Sequence, residues 1–239
     1  GDPQFALGVA PHSLRACSPE MLREVAGFEG PVHIHAAEQP REVAECLAAT
    51  AARPVRWVLD NLPADGRWCV IHATHMDAGE IEGLARSGAV AGLCPSTEAS
   101  LGDGMFALPE YLAAGGQFGI GTDSHVGTAP HLELRQLETS QRLRDHARAV
   151  ATEKGNPHPG RALLDGALTG GARASGRRIG ALATGMRADV VELDDMHPLL
   201  FGRTGDALLD AWVFSGQGHA VRTVACAGRV VVEAGRHVH

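Results

Sequence analysis

The 239-residue chain is 44% hydrophobic with 21% charged residues, a balance that excludes a disordered protein and is sufficient for one large core, or one core with a small appendage. A formal net charge of -7 and a pI near 6.0, with no block of lysine or arginine, argue against nucleic acid or an anionic membrane surface as partner and favour a small molecule. The five cysteines are widely spaced and form no C-x-x-C pair, so neither a disulfide framework nor a zinc ribbon is indicated.

No apolar run approaches the roughly 20 residues of a membrane span, and no signal-like stretch opens the sequence. The expectation is a cytoplasmic protein that contacts neither membrane nor nucleic acid.

In chain order, apolar runs at 7–10, 32–37, 68–73, 89–94 and 118–121 read as five strands. Ser18-Pro19-Glu20 offers an N-cap, a proline at the first helical position and an acid in the first turn, with Gly27 and Gly30 near the stop. A second helix is expected over 41–52. Asp77 is placed to cap a third over 80–86, ended by Gly88, and a fourth over 109–114 runs into Gly115-Gly116. The β-α-β-α alternation of buried strands predicts a parallel sheet curling toward a (β/α)8 TIM-type barrel, of which five strands would be a part.

Beyond these strands, long helices are expected over 131–150 and 161–174, the second weakened by its glycines. The texture then changes to short strands at 188–193, 221–225 and 229–233, the last two joined around Gly228, as in a small antiparallel β domain. The expected division is a partial barrel over 1–180 and a β-sandwich part over 181–239.

Candidate chemistry lies where apolar runs end. In Val32-His33-Ile34-His35-Ala36-Ala37-Glu38, alternation puts His33 and His35 on one face, with His35 nearer the strand's C-terminal end. Neutral imidazole binds zinc, and Glu38 just beyond could relay a proton from water to a leaving amine. His72 closes Val70-Ile71-His72 in the same manner, and Asp123 follows Gly119-Ile120-Gly121-Thr122. Each alone has a plain structural reading: a hydrogen-bonded core histidine, a loop glutamate, a turn aspartate. Three strand ends carrying such groups shift the balance toward a metal-dependent hydrolase or deaminase. His12 and Arg15 follow the first run, and arginine's planar fork suits a carboxylate. His146, His158, His197, His219, His237 and His239 show no partner pattern.

These segments resemble the amidohydrolase superfamily and, within it, the formimidoylglutamate deiminases. The resemblance rests on Ala10-Pro11-His12-Ser13-Leu14-Arg15, on the stretches around His35, His72 and Asp123, and on Ser96-Thr97-Glu98-Ala99-Ser100-Leu101-Gly102-Asp103-Gly104. It implies one Zn2+ per site, with another divalent metal as the alternative, held by His35 and Asp123. It implies Glu38 and His72 as proton-handling residues, and His12 and Arg15 as contacts to an acidic substrate. The implied reaction is hydrolysis of N-formimidoyl-L-glutamate to N-formyl-L-glutamate and ammonia.

The family's His-x-His pair on its first barrel strand has no counterpart here. The expectation is therefore a portion lacking the first barrel strands, inactive until a missing N-terminal segment or another polypeptide completes it, with a homodimer as the favoured assembly. Two other readings stay open: an amidohydrolase acting on a ring substrate, and a non-catalytic remnant.

Overall fold

Four strands lie side by side in chain order: β1 (Val32–Ala36), β2 (Trp68–His72), β3 (Val90–Leu93) and β4 (Gln117–Ile120), each parallel to the next. The computed structural model describes residues 5–153, 155–215 and 220–239. Parallel neighbours require crossovers, and the intervening segments supply helices: α2 (Pro40–Thr50) and α3 (Pro54–Asn61) between β1 and β2, α4 (Ala78–Ser87) between β2 and β3, and α5 (Pro95–Leu101) and α6 (Leu108–Ala113) between β3 and β4. The helix before β1 is α1 (Pro19–Ala26). Sequential parallel strands with helical crossovers are the repeating unit of the expected barrel, here a partial one.

The fifth expected strand, over 7–10, is not regular. Its Val9 accepts from His33 N and donates to Pro31 O, and single parallel bridges join Val9 to Val32 and Ser13 to His35. Pro11 lies between those bridges and has no N–H to offer, which accounts for a segment that runs along β1 without forming a ladder.

Local chemistry accounts for the helix ends. Ser18 Oγ accepts from Met21 N at the start of α1, and Asp77 and Glu80 form a reciprocal capping box on α4, which stops at Gly88 in the left-handed region, φ 79°. Glu80 also accepts from Arg56 N and pairs with Arg53 Nε at 2.7 Å. One buried carboxylate thus ties the starts of α3 and α4 together. The second helix ends at Thr50 rather than residue 52, because Ala51 turns left-handed at φ 58°.

Val32, Ile34, Val70, Val90, Leu93 and Phe118 are buried, each contributing about 1.5–3 kcal/mol on removal from water. Gly92 leaves the room that Ile71 and Cys69 occupy, since a Cβ there would lie 2.6 Å from Ile71 Cδ1 and 2.8 Å from Cys69 Sγ. The remaining helices are α7 (Pro130–Asp145), α8 (Pro159–Ala174) and α9 (Gly205–Ser215). In α8 the glycines are not simply weak points: a Cβ on Gly170 would lie 1.9 Å from Phe118 O, so the helix meets β4 at a distance only glycine permits.

By internal packing the chain divides into Gly1–Thr128 with Thr169–Arg177, and Ala129–Leu168 with Arg178–His239. These units do not follow chain order as a split at residue 180 would. In the second, β5 (Val190–Leu193), β6 (Val221–Cys226), β7 (Arg229–Glu233) and β8 (Arg236–His237) form an antiparallel meander, matching the expected strands with β8 added.

Helix α7 ends at Asp145, short of the expected residue 150, with His146 left-handed at φ 53°. The cause is tertiary: buried Glu138 accepts from Val150 N and Ala151 N, both at 2.9 Å, folding the tail back along the helix. Asp210 on α9 accepts from Gly160 N at 2.8 Å and pairs with His158 Nδ1 at 2.5 Å. The α8 start therefore takes its capping carboxylate from a distant segment, and His158 gains a partner its local sequence did not indicate. His219 lies outside the described residues.

Candidate metal and proton-transfer site

Because β1, β2 and β4 are parallel, their C-terminal ends share one edge of the sheet. This edge brings together His35, His72 and Asp123, whose potential ligand atoms lie within 4.8 Å of one another. Two imidazole nitrogens and a carboxylate oxygen are a donor set suited to zinc and to several other divalent ions.

Each ring is oriented by what its other nitrogen meets. His35 Nδ1–H donates to His12 O at 2.8 Å, leaving Nε2 toward Asp123 Oδ1 at 3.9 Å. His72 Nδ1–H donates to Glu98 Oε1 at 3.2 Å, and its buried Nε2 has no hydrogen-bond partner, with Glu38 Oε1 3.7 Å away. An orphaned, buried ring nitrogen aimed at a carboxylate cluster is what a bound cation or reacting water would satisfy. Burial works against the His72 cation, but the carboxylates of Glu98, Glu38 and Asp123 outweigh it and hold the ring's pKa above its ordinary value.

The site is built under backbone strain. Ala37, His72, Ala73 and Asp123 have φ of 55°, 67°, 50° and 49°, each a left-handed non-glycine conformation that costs of order 1–3 kcal/mol and persists where surrounding contacts fix it. The contacts are visible. Buried Glu42 accepts from Ala37 N at 3.1 Å and Glu38 N at 2.8 Å, fixing the turn that presents Glu38. Thr97 Oγ1 donates to Thr122 O at 2.6 Å and accepts from His125 N at 3.0 Å, bracketing Asp123. Thr97 and Glu98 are neighbours in the first turn of α5, so one short helix braces two of the three strand-end groups.

His12 and Arg15 reach the same edge. The His12 ring stacks on His35 with centroids 5.0 Å apart, and Arg15 Nη2 meets Glu38 Oε2 at 2.5 Å and Glu42 Oε2 at 3.9 Å. Partial burial disfavours the guanidinium's charge, but hydrogen bonding to Glu38 and the charges of Glu42, Glu38 and Asp103 raise its pKa above the ordinary value. All six residues singled out in the sequence are therefore neighbours through a chain of contacts, while His33 donates to Ala174 O at 2.8 Å, away from the group.

Sequence reasoning gave no role to Glu42, nor to Thr97 and Glu98 beyond their place in a motif; they act through backbone groups and ring nitrogens and show no spacing of their own. Asp103, of the same motif, also received no role; its Oδ1 accepts from Gln39 Nε2 at 2.7 Å and its buried Oδ2 is unpartnered. In a second possible metal cluster, His72 with Cys94 and Glu98, Glu98 Oε1 already receives His72 Nδ1–H and the Cys94 backbone N–H, the latter at 2.9 Å.

The model of the amidohydrolase family matches residues 4–231 of this sequence. The chain belongs to the amidohydrolase family. As an amidohydrolase it is 52% identical over 235 residues to a formimidoylglutamate deiminase of Pseudomonas aeruginosa, covering 97% of this chain and 52% of that one. It is 33% identical over 232 residues to a 5-methylthioadenosine/S-adenosylhomocysteine deaminase of Pelotomaculum thermopropionicum, covering 93% and 51%.

Among solved structures, an amidohydrolase from Brucella melitensis superposes with a TM-score of 0.91 at 49% identity, over 97% of this chain and 51% of that one. An adenosine deaminase from Xanthomonas campestris, crystallised with zinc, shares the fold with a TM-score of 0.84 at 24% identity, over 96% and 52%. The chain spans about half the length of the curated relatives it matches.

Proposed function

We propose that this amidohydrolase carries the proton-handling side and part of the zinc site of an N-formimidoyl-L-glutamate deiminase, which forms N-formyl-L-glutamate and ammonia in histidine degradation. The observation that carries the reading is the meeting of His35, His72, Asp123, Glu38 and Arg15 at one sheet edge; the 52% identity to the Pseudomonas deiminase supports the substrate. The orphaned His72 Nε2 and the mixed imidazole and carboxylate donors fit a zinc ion held by His35 and Asp123. When bound, zinc supplies Lewis acidity that makes water nucleophilic near neutral pH.

The chain's own groups do the rest. Glu38 carries one proton from the attacking water to the imine nitrogen and, as the tetrahedral centre collapses, a second from the new hydroxyl, so that the C–N bond breaks and the nitrogen leaves as ammonia. His72, its proton affinity raised by neighbouring carboxylates, stabilises negative charge as the tetrahedral centre forms. Arg15, paired with Glu38 and Glu42, exchanges those partners for a substrate carboxylate, and His12 contacts the substrate beside it. The enzyme works in the cytoplasm, and its completed assembly is a homodimer or includes the segment that the longer relatives supply.

The test mixes the purified chain, loaded with zinc, with the N-terminal half of the Pseudomonas relative and measures ammonia release. Zinc-dependent release from N-formimidoyl-L-glutamate, abolished by Glu38→Gln, is expected. Release from an aminopurine nucleoside but not from N-formimidoyl-L-glutamate would overturn the substrate, and zinc-loaded mixtures that release no ammonia from either would overturn the reaction.

A further inference from the structure

Glu98 is a buried carboxylate that the reaction above does not use. It is 3% exposed, sits in the first turn of α5, and has one oxygen, Oε1, that receives both His72 Nδ1–H at 3.2 Å and Cys94 N–H at 2.9 Å. The Cys94 amide fixes where that oxygen stands. Its neighbour Thr97 ties α5 to the Thr122–His125 turn, so the helix cannot shift without disturbing Asp123.

A neutral imidazole carries one ring proton, and the nitrogen it occupies decides what the other can do. Free imidazole side chains favour the proton on Nε2. Here Nδ1 faces a carboxylate, which only accepts, while Nε2 faces Glu38 Oε1 at 3.7 Å and the His35 and Asp123 cluster.

Resting on the deiminase reading for its catalytic consequence, we infer that Glu98 is a positioning residue: it accepts from His72 Nδ1–H and so holds the ring with Nε2 turned toward the site. The ring is thereby fixed in one orientation, with Nε2 toward Glu38 Oε1 and the His35 and Asp123 cluster. No other side chain contacts Nδ1 among the described hydrogen bonds. Loss of the Glu98 oxygen leaves Nδ1–H buried without an acceptor, so the ring reverts to the Nε2–H form and its orientation toward the site is no longer fixed.

The experiment labels histidine nitrogen with 15N and reads the ring tautomers of the chain, free of metal and substrate, by two-bond 1H–15N correlation at alkaline pH, with His72→Gln assigning the signals. The expected result is a pyrrole-type Nδ1 and a pyridine-type Nε2 for His72. Glu98→Gln keeps an oxygen for Nδ1–H and retains this pattern; Glu98→Leu reverses it. In the reconstituted deiminase, Glu98→Leu lowers kcat by about 10- to 100-fold, the range for loss of a histidine-orienting partner, with KM changed less than about twofold.

Protonated Nε2 in the unmutated chain overturns the inference, and that spectrum decides even when Glu98→Leu does not fold. A folded Glu98→Leu variant that keeps Nδ1–H, or one that changes KM alone, overturns it as well. Ammonia assays that fail in the unmutated enzyme speak against the deiminase reading and leave the tautomer result intact.

Discussion

Replacing Glu42 with alanine removes the acceptor for two consecutive amides, Ala37 N and Glu38 N. Ala37 is fully buried at 0% exposure and held at a left-handed φ of 55°, so water does not readily replace the lost oxygen. An unmet buried donor costs about 1–3 kcal/mol; roughly 2 is assigned to Ala37 and roughly 1 to Glu38, whose amide lies nearer solvent, for a total near 3 kcal/mol. The Arg15 contact at 3.9 Å adds little, because that guanidinium is one-third exposed. Glu42→Gln keeps one acceptor and turns an amide nitrogen toward the other donor, so about half the loss is expected. Urea unfolding followed by fluorescence measures both, since Trp57 and Trp68 are buried in the same unit. The reasoning fails if Glu42→Ala unfolds within about 0.5 kcal/mol of the unmutated chain, or if the glutamine variant is as unstable as the alanine one.

Gly170→Ala places a Cβ 1.9 Å from Phe118 O and is expected to cost about 3 kcal/mol or more in urea unfolding, whereas Gly171→Ala, with nothing within 4 Å, is neutral or stabilising by up to about 1 kcal/mol; equal effects would remove the close-approach argument. Zinc measured after dialysis is expected to be lower in Asp123→Asn than in the unmutated chain, because the carboxylate is one of three donors within 4.8 Å. Retention at the same level in both would place the ion elsewhere. Burial pushes the Cys69 thiol to about 12. Its folded value lies above the unfolded one, so the stability it contributes is full below roughly pH 8.5 and is lost as pH rises toward 12, by about 2 kcal/mol at about pH 10. Urea midpoints at pH 8 and 10 check the sign, with Cys69→Ala expected to lose this dependence. Native thiol titration should label partly exposed Cys17 and Cys226 ahead of buried Cys46, Cys69 and Cys94.

Much of this protein is written locally. A continuous apolar run is buried in a sheet covered by helices, and alternation puts Val32 and Ile34, both buried, on one face and His33 and His35 on the other. Ser18, Asp77 and Gly88 mark helix ends because capping uses groups within a few residues. The strand-end residues His35, His72 and Asp123 were visible for the same reason: each follows a run whose direction its own sequence reveals.

Tertiary structure alone decided which distant groups complete those local beginnings. Beside Pro11 the first run makes one bridge with β1, and Ser13 beyond it another; Glu138 ends α7 by capturing amides a dozen residues on; Asp210 caps α8 from α9. At the site, Glu42, Thr97 and Glu98 orient Glu38, Asp123 and His72, yet nothing in their spacing announces it. A hydrogen bond between residues far apart in the chain leaves no periodic trace, since it depends on where parallel strands and their crossovers bring atoms to within about 3 Å. Sequence by itself therefore indicated most of the strands, several of the helices and the candidate side chains at the strand ends. Their hydrogen-bond partners and turn geometry were decided only when the sheet edge gathered the carboxylates around them.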